Sequence, residues 1–122
     1  MSYTFEVREM DGYLLFILSG VAESVDELRA FSEAMVVRAL KTDSKRVLLD
    51  ERDTIKKLDL HDCMVHAERW VTDKPRLGMR IAAVYTPADA RAFHWVETIF
   101  QNRSISYKIF DAMDKAELWL LS

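Results

Sequence analysis

Arg46-Val47-Leu48-Leu49-Asp50-Glu51-Arg52-Asp53-Thr54 is the stretch that decides the fold. The apolar trio Val47-Leu48-Leu49 has the continuous hydrophobicity of a strand buried on both faces, as in a parallel sheet. The acidic residues that follow end the strand and predict a polar, solvated loop. In an open α/β sheet, ligands and partners dock beyond the carboxyl ends of such strands. Here that place carries Asp50, Glu51 and Asp53, with no glycine, histidine or thiol. It offers charge without a nucleophile or a phosphate cradle.

Upstream, Tyr3, Phe5 and Val7 alternate with Thr4, Glu6 and Arg8, the period of a half-buried strand. Asp11-Gly12 supplies the positive φ angles of a tight hairpin turn. Tyr13 to Leu18 is an unbroken apolar run and predicts a second strand covered on both faces. Ser24 and Glu27 form a capping box. They open a helix whose stripe is Leu28, Phe31, Met35 and Ala39, closed by Thr42-Asp43-Ser44.

Downstream, a helix is expected from Leu60 to Val71, burying Leu60, Cys63, Met64, Ala67, Trp70 and Val71. Pro75 and Gly78 punctuate a loop, and Met79 to Tyr85 is the next strand. Thr86-Pro87 starts a helix, with Thr86 as its cap. It runs to about Asn102 and buries Ala92, Phe93, Val96, Ile99 and Phe100. Ser106 to Phe110 forms a last strand, whose Lys108 suits an exposed sheet edge. Ala112, Ala116, Trp119 and Leu120 face a final helix inward. The order is β-β-α-β-α-β-α-β-α. It predicts one α/β domain over residues 1–122, with a mixed five-stranded sheet, parallel after its hairpin, and four main helices. Phe16, Phe31, Leu48, Ile81, Phe100 and Trp119 are the expected core.

Composition bounds the function. Half of the 122 residues are hydrophobic and 30% are charged, which predicts a packed core. The 17 basic and 20 acidic side chains give a net charge of −3. That balance argues against nucleic acid as the main partner, since phosphate neutralisation needs concentrated Lys and Arg. The one cysteine, Cys63, forms no intrachain disulfide and fits a reducing compartment. Met1 leads straight into a strand-like segment, and no apolar stretch reaches the ~20 residues of a membrane span. A cytoplasmic protein without a membrane span is expected.

Candidate chemistry is sparse. His61, Asp62, Cys63 and His66 are metal-like in composition, but on a helix His61 and His66 point about 140° apart. That is not the spacing that sets two imidazoles on one zinc. The expected arrangement is a buried Cys63 beside solvated His61 and His66, without a metal. A Cys63–His66 nucleophilic pair lacks an oxyanion hole. Asp50, Glu51 and Asp53 could attract magnesium, yet such sites gather carboxylates from several elements, and Arg52 stands among them. Arg69, Lys74, Arg76 and Arg80 read as a solvated basic face without interleaved aromatics. His94 points outward. Trp95 lies at the edge of its stripe, as a partner anchor or as the rim of the core.

The element order, the opening hairpin and the passage from Tyr107-Lys108-Ile109-Phe110 into Ala116-Glu117-Leu118-Trp119-Leu120 resemble the SpoIIAA-like family. That family belongs to the STAS superfamily and is similar in fold to CRAL-TRIO lipid-carrier domains. The likeness implies a non-enzymatic regulatory or protein-interaction module, with no catalytic residues and no cofactor. A carrier or sensor of a small apolar or anionic ligand is the alternative. Anti-sigma-factor antagonists of that superfamily carry an Asp-Ser-Ser-Gly-type phosphorylation site where the third strand meets the next helix. This chain has Asp53-Thr54-Ile55-Lys56 there, so the usual serine switch is not expected, and Thr54 is the one hydroxyl at that place. A phospho-acceptor receiver domain is similar in length, but the opening hairpin excludes its topology. The partner surface is expected at the carboxyl ends of the parallel strands, on Asp50, Glu51, Asp53, Thr54, Thr86 and Asp111. The sequence leaves the oligomeric state open, a homodimer included.

Overall fold

The computed structural model describes residues 3–73 and 78–122, with the side chains of 71–73 left out of the description. The expected inward position of Val71, the loop at Pro75, and Lys74 and Arg76 of the basic face lie outside the described residues. Strand β1 (Thr4–Met10) turns into β2 (Tyr13–Ala22) and is followed by helix α1 (Val25–Thr42) and β3 (Arg46–Lys56). Helix α2 (Leu60–Asp73), β4 (Arg80–Val84), α3 (Ala90–Asn102), β5 (Ser106–Phe110) and α4 (Met113–Leu120) complete the chain. The expected β-β-α-β-α-β-α-β-α order holds, with one addition. A 3₁₀ turn at Pro87–Asp89 precedes α3, because the Thr86-Pro87 start winds tightly before it opens into an α-helix.

The five strands lie in sequence order, β1-β2-β3-β4-β5. β1 is antiparallel to β2, and the remaining neighbours are parallel. Of Asp11 and Gly12 at the hairpin, only Gly12 takes a positive φ, 89°. A side chain there would also stand 3.1 Å from Leu121 Cδ2, so glycine answers both the turn and the close approach. With sequential order and one crossover hand, the three connecting helices must share a face. α1, α2 and α3 accordingly cover the larger core, which holds Phe16, Leu49, Ile81, Phe93 and Phe100. α4 alone covers the other face, over Leu15, Leu48, Ala82 and Val84.

Local signals explain the elements. Ser24 Oγ accepts the Glu27 amide at 3.3 Å, and the Glu27 carboxylate returns to the Glu23 amide at 2.9 Å. Asp43, at φ 54°, ends α1 in the left-handed conformation. α2 has a second reciprocal cap: Asp59 Oδ1 accepts from the Asp62 amide and Asp62 Oδ2 from that of Asp59. β5 is an edge strand with Lys108 exposed, as its sequence implied.

Some expectations require correction. Leu60 and Met64 are exposed, at 45% and 43%. The inward arc of α2 runs through Cys63, Ala67 and Trp70, and Met64 stands about 100° around the helix from Cys63. Trp119 is half-buried rather than central, its ring covered by the Arg80 guanidinium 4.1 Å from the centroid. The most consequential correction concerns the stretch that opened the reading. Residues 50–56 are strand, not a solvated loop, and Asp50, Glu51 and Thr54 are buried.

Candidate functional site

β3 outruns its neighbours. Level pairing with β4 stops at Asp50↔Val84, and β4 stops against β5 at Val84↔Phe110. β3 continues beside β2 alone, from Asp53↔Ser19 to Lys56↔Ala22. Between Ile17↔Asp50 and Ser19↔Asp53, one β2 residue, Leu18, stands opposite two on β3, Glu51 and Arg52. This is a β-bulge, a device that re-aims side chains beside functional sites.

The six residues expected at the carboxyl rim are divided by this geometry. Asp53 and Asp111 are exposed, and Asp111 pairs with Lys115 at 3.1 Å. Thr86 is half-buried and caps the 3₁₀ turn by position, without a side-chain hydrogen bond to it. Asp50 is gripped in bidentate fashion by Arg52, with Nε and the terminal nitrogen at 2.8 and 2.9 Å. These bonds hold its carboxyl below the usual range, against the opposing effect of burial. Thr54 donates its hydroxyl to the Glu51 carbonyl at 2.8 Å and is 4% exposed. Glu51 turns inward, under the three-helix face.

There Glu51 meets two residues that sequence reasoning did not select. Tyr3 Oη donates to Glu51 Oε1 at 2.6 Å, Lys56 Nζ donates to Tyr3 Oη at 3.0 Å, and Lys56 forms a short ion pair with the same Glu51 oxygen. The Lys56 and Glu51 side chains are 8% and 4% exposed. Lys56 Nζ also lies over the Tyr3 and Phe93 rings, 4.8 and 5.1 Å from their centroids. An isolated buried ion is expensive, so a pair this deep requires hydrogen bonds around it. Burial first, then the Glu51 charge and hydrogen bond, push the Tyr3 phenol well above its ordinary range.

Tyr3, Glu51 and Lys56 line a partly open cavity of about 60 Å³ between the sheet and α1, α2 and α3. Phe31, Met35, Leu49, Trp70, Val96 and Phe100 make the remaining wall mostly apolar. Ser32, Cys63, His66 and Tyr107 add polar atoms. His66, expected in solvent, is half-buried instead, its ring 5.7 Å from that of Phe100. Burial, helped by Asp62 and Asp59, pushes the Cys63 thiol up to about 11, so at neutral pH it is an inert group. Among the described residues no cluster of three or more His, Cys, Asp or Glu side chains could hold a metal ion. The place of Lys56 in this cavity was hidden in the sequence because it follows a bulge, which shifts the in–out alternation by one residue.

No protein-family model matches the chain, and no curated protein matches its sequence. Solved structures do match. An anti-sigma factor antagonist from Mycobacterium paratuberculosis superposes with a TM-score of 0.66 at 14% identity, over 99% of this chain and 96% of that one. An uncharacterised protein of the DUF3478 family with a SpoIIAA-like fold, from Shewanella loihica PV-4, gives 0.59 at 14% identity, over 98% and 93%. The fold is SpoIIAA-like. This agrees with the resemblance carried by the hairpin and by the Tyr107–Leu120 ending, and the likeness spans both ends of the chain. Within this SpoIIAA-like fold, the bulged β3 keeps Asp53 exposed and contributes Leu49, Glu51 and Lys56 to the cavity. Among the described residues no helix is long and apolar enough to cross a membrane.

Proposed function

We propose that this SpoIIAA-like protein is a non-enzymatic regulatory module that works by docking a protein partner at the carboxyl rim of its sheet. The end-to-end likeness in fold to an anti-sigma factor antagonist carries this reading. The rim supplies exposed carboxylates at Asp53 and Asp111, with Thr86 between the ends of β4 and α3. Asp50, Glu51 and Thr54 support that surface from beneath, as struts for the bulge. Their burial moves the expected contact set outward to Asp53, Thr86 and Asp111. An acidic rim favours a basic patch on the partner and an association weakened by salt. Thr54 is the hydroxyl nearest to the phosphorylation position of such antagonists. Its burial and its bond to the Glu51 carbonyl support a module without that switch.

Affinity capture with the purified protein, followed by titration of the captured partner in rising salt, tests the reading. A single stoichiometric partner lost by about 0.5 M salt is expected, since screening shortens to ~3–5 Å at such strengths. Capture of no partner, or intact-mass detection of a phosphate on Thr54 in protein from growing cells, would count against it.

A second reading rests on a separate observation. The cavity with its buried Tyr3–Glu51–Lys56 triad supports a carrier or sensor of a small ligand, because pockets of this kind are apolar with a few convergent polar groups. Native mass spectrometry of freshly purified protein distinguishes the two, since a carrier retains a small molecule.

A further inference from the structure

The charge balance of the cavity says which molecule it takes, an inference that rests on the second reading above. Tyr3 and Lys56 both address Glu51 Oε1, which leaves Oε2 without a hydrogen-bond donor among the described residues. Lys56 and Glu51 cancel in formal charge, so an anion entering the apolar chamber would face Glu51 and a cation would face Lys56, each uncompensated in a low-dielectric site. Tyr107 also lines the wall and is buried. The space of about 60 Å³ is well under the ~150 Å³ of a cavity that holds benzene, so it suits a molecule of only a few non-hydrogen atoms.

We infer that the cavity is a binding site for a small uncharged apolar molecule bearing one hydroxyl, which donates to Glu51 Oε2 while its body lies among Phe31, Met35, Trp70 and Phe100. The hydroxyl supplies the donor that the carboxylate lacks. The same molecule without it leaves that oxygen unsatisfied and binds at least tenfold more weakly, because hydrogen bonds to charged groups discriminate at that level.

Four probes of similar size at pH 7 test this: propan-1-ol, 1-chloropropane, propionate and propylamine. Binding is followed by calorimetry and by the Trp70 indole N–H resonance. Propan-1-ol is expected to bind and shift Trp70, 1-chloropropane to bind at least tenfold more weakly, and the two ions not to bind. Glu51→Gln leaves the Lys56 charge without its counter-ion, so propan-1-ol should weaken and propionate should gain at least tenfold. Ala92→Met, at a half-buried position in the wall, should obstruct the cavity and abolish propan-1-ol binding without lowering the melting temperature. This second variant keeps the test decisive if Glu51→Gln fails to fold. 1-Chloropropane or propionate binding the wild type as well as propan-1-ol would overturn the ligand class while the carrier reading stands. No probe shifting Trp70, or binding that survives Ala92→Met, would overturn both.

Discussion

Lys56 shows what a single side chain can commit a fold to. Its ammonium is nearly dry, and among the described residues Glu51, Tyr3 and the Phe93 ring offset the loss of hydration. Lys56→Met should cost about 3–5 kcal/mol, the usual range for stranding one member of a buried pair, whereas Glu51→Gln/Lys56→Met together should recover most of that loss. Urea titration of both variants checks the difference; similar losses would mean that packing, not charge, holds the site. Cys63 makes a different commitment. Its folded pKa is raised from an ordinary 9.0 to about 11 by burial. Its contribution to stability is therefore fully present below about pH 9 and is lost as pH rises towards 11, since the unfolded thiol ionises first. Cys63→Ala should flatten that part of the stability profile. A thiol reagent at pH 8 should modify the native protein only as fast as it unfolds. Rapid labelling would show an open, activated thiol instead. The apolar stripe of α2 foretold a buried Cys63, but nothing in the local sequence paired Lys56 with Glu51 five positions earlier. That pairing needs the bulge.

At the scale of elements, the apolar stripes were readable because they express one physical demand, that each helix bury a face against the sheet. Leu28, Phe31, Met35 and Ala39 of α1 are all buried as their spacing implied. The edge strand was less transparent. Phe5 is 40% exposed, yet its ring lies 5.3 Å from that of Phe31 and 5.7 Å from that of Phe16, so α1 and β1 are joined through aromatic contact at the sheet margin. Phe31→Ala should cost roughly 3–5 kcal/mol, the range for emptying a buried aromatic site. Asp53→Ala, on the exposed part of β3, should stay within about 0.5 kcal/mol. Chemical denaturation giving equal losses would contradict this division of β3 and α1. The error over residues 50–56 has an element-level cause as well. Consecutive acidic residues resemble a loop, and the neighbouring β2, reaching to Ala22, supplies the pairing that keeps residues 53–56 extended.

At the scale of the whole molecule, β3 places two candidate surfaces back to back. Its exposed Asp53 faces the rim, while Glu51 and Lys56 face the cavity. The Lys56 amide, bonded to the Asp89 carboxylate at 3.2 Å, ties the end of β3 to the turn before α3. This arrangement decides which substitutions test the partner reading cleanly. Charge reversal at Glu51 would break the buried pair and unfold the site before any interface was probed. Asp53→Lys and Asp111→Lys act on exposed side chains and should leave the melting temperature within a few degrees. Against a captured partner with a basic patch, the double reversal should slow association several-fold and reverse the salt dependence, because rim charges act mainly on the encounter rate. Surface plasmon resonance at two ionic strengths reads both effects. Unchanged association, with binding lost instead on Trp95→Ala, would move the docking face to the outer side of α3, where Arg91 covers that half-buried indole at 5.2 Å.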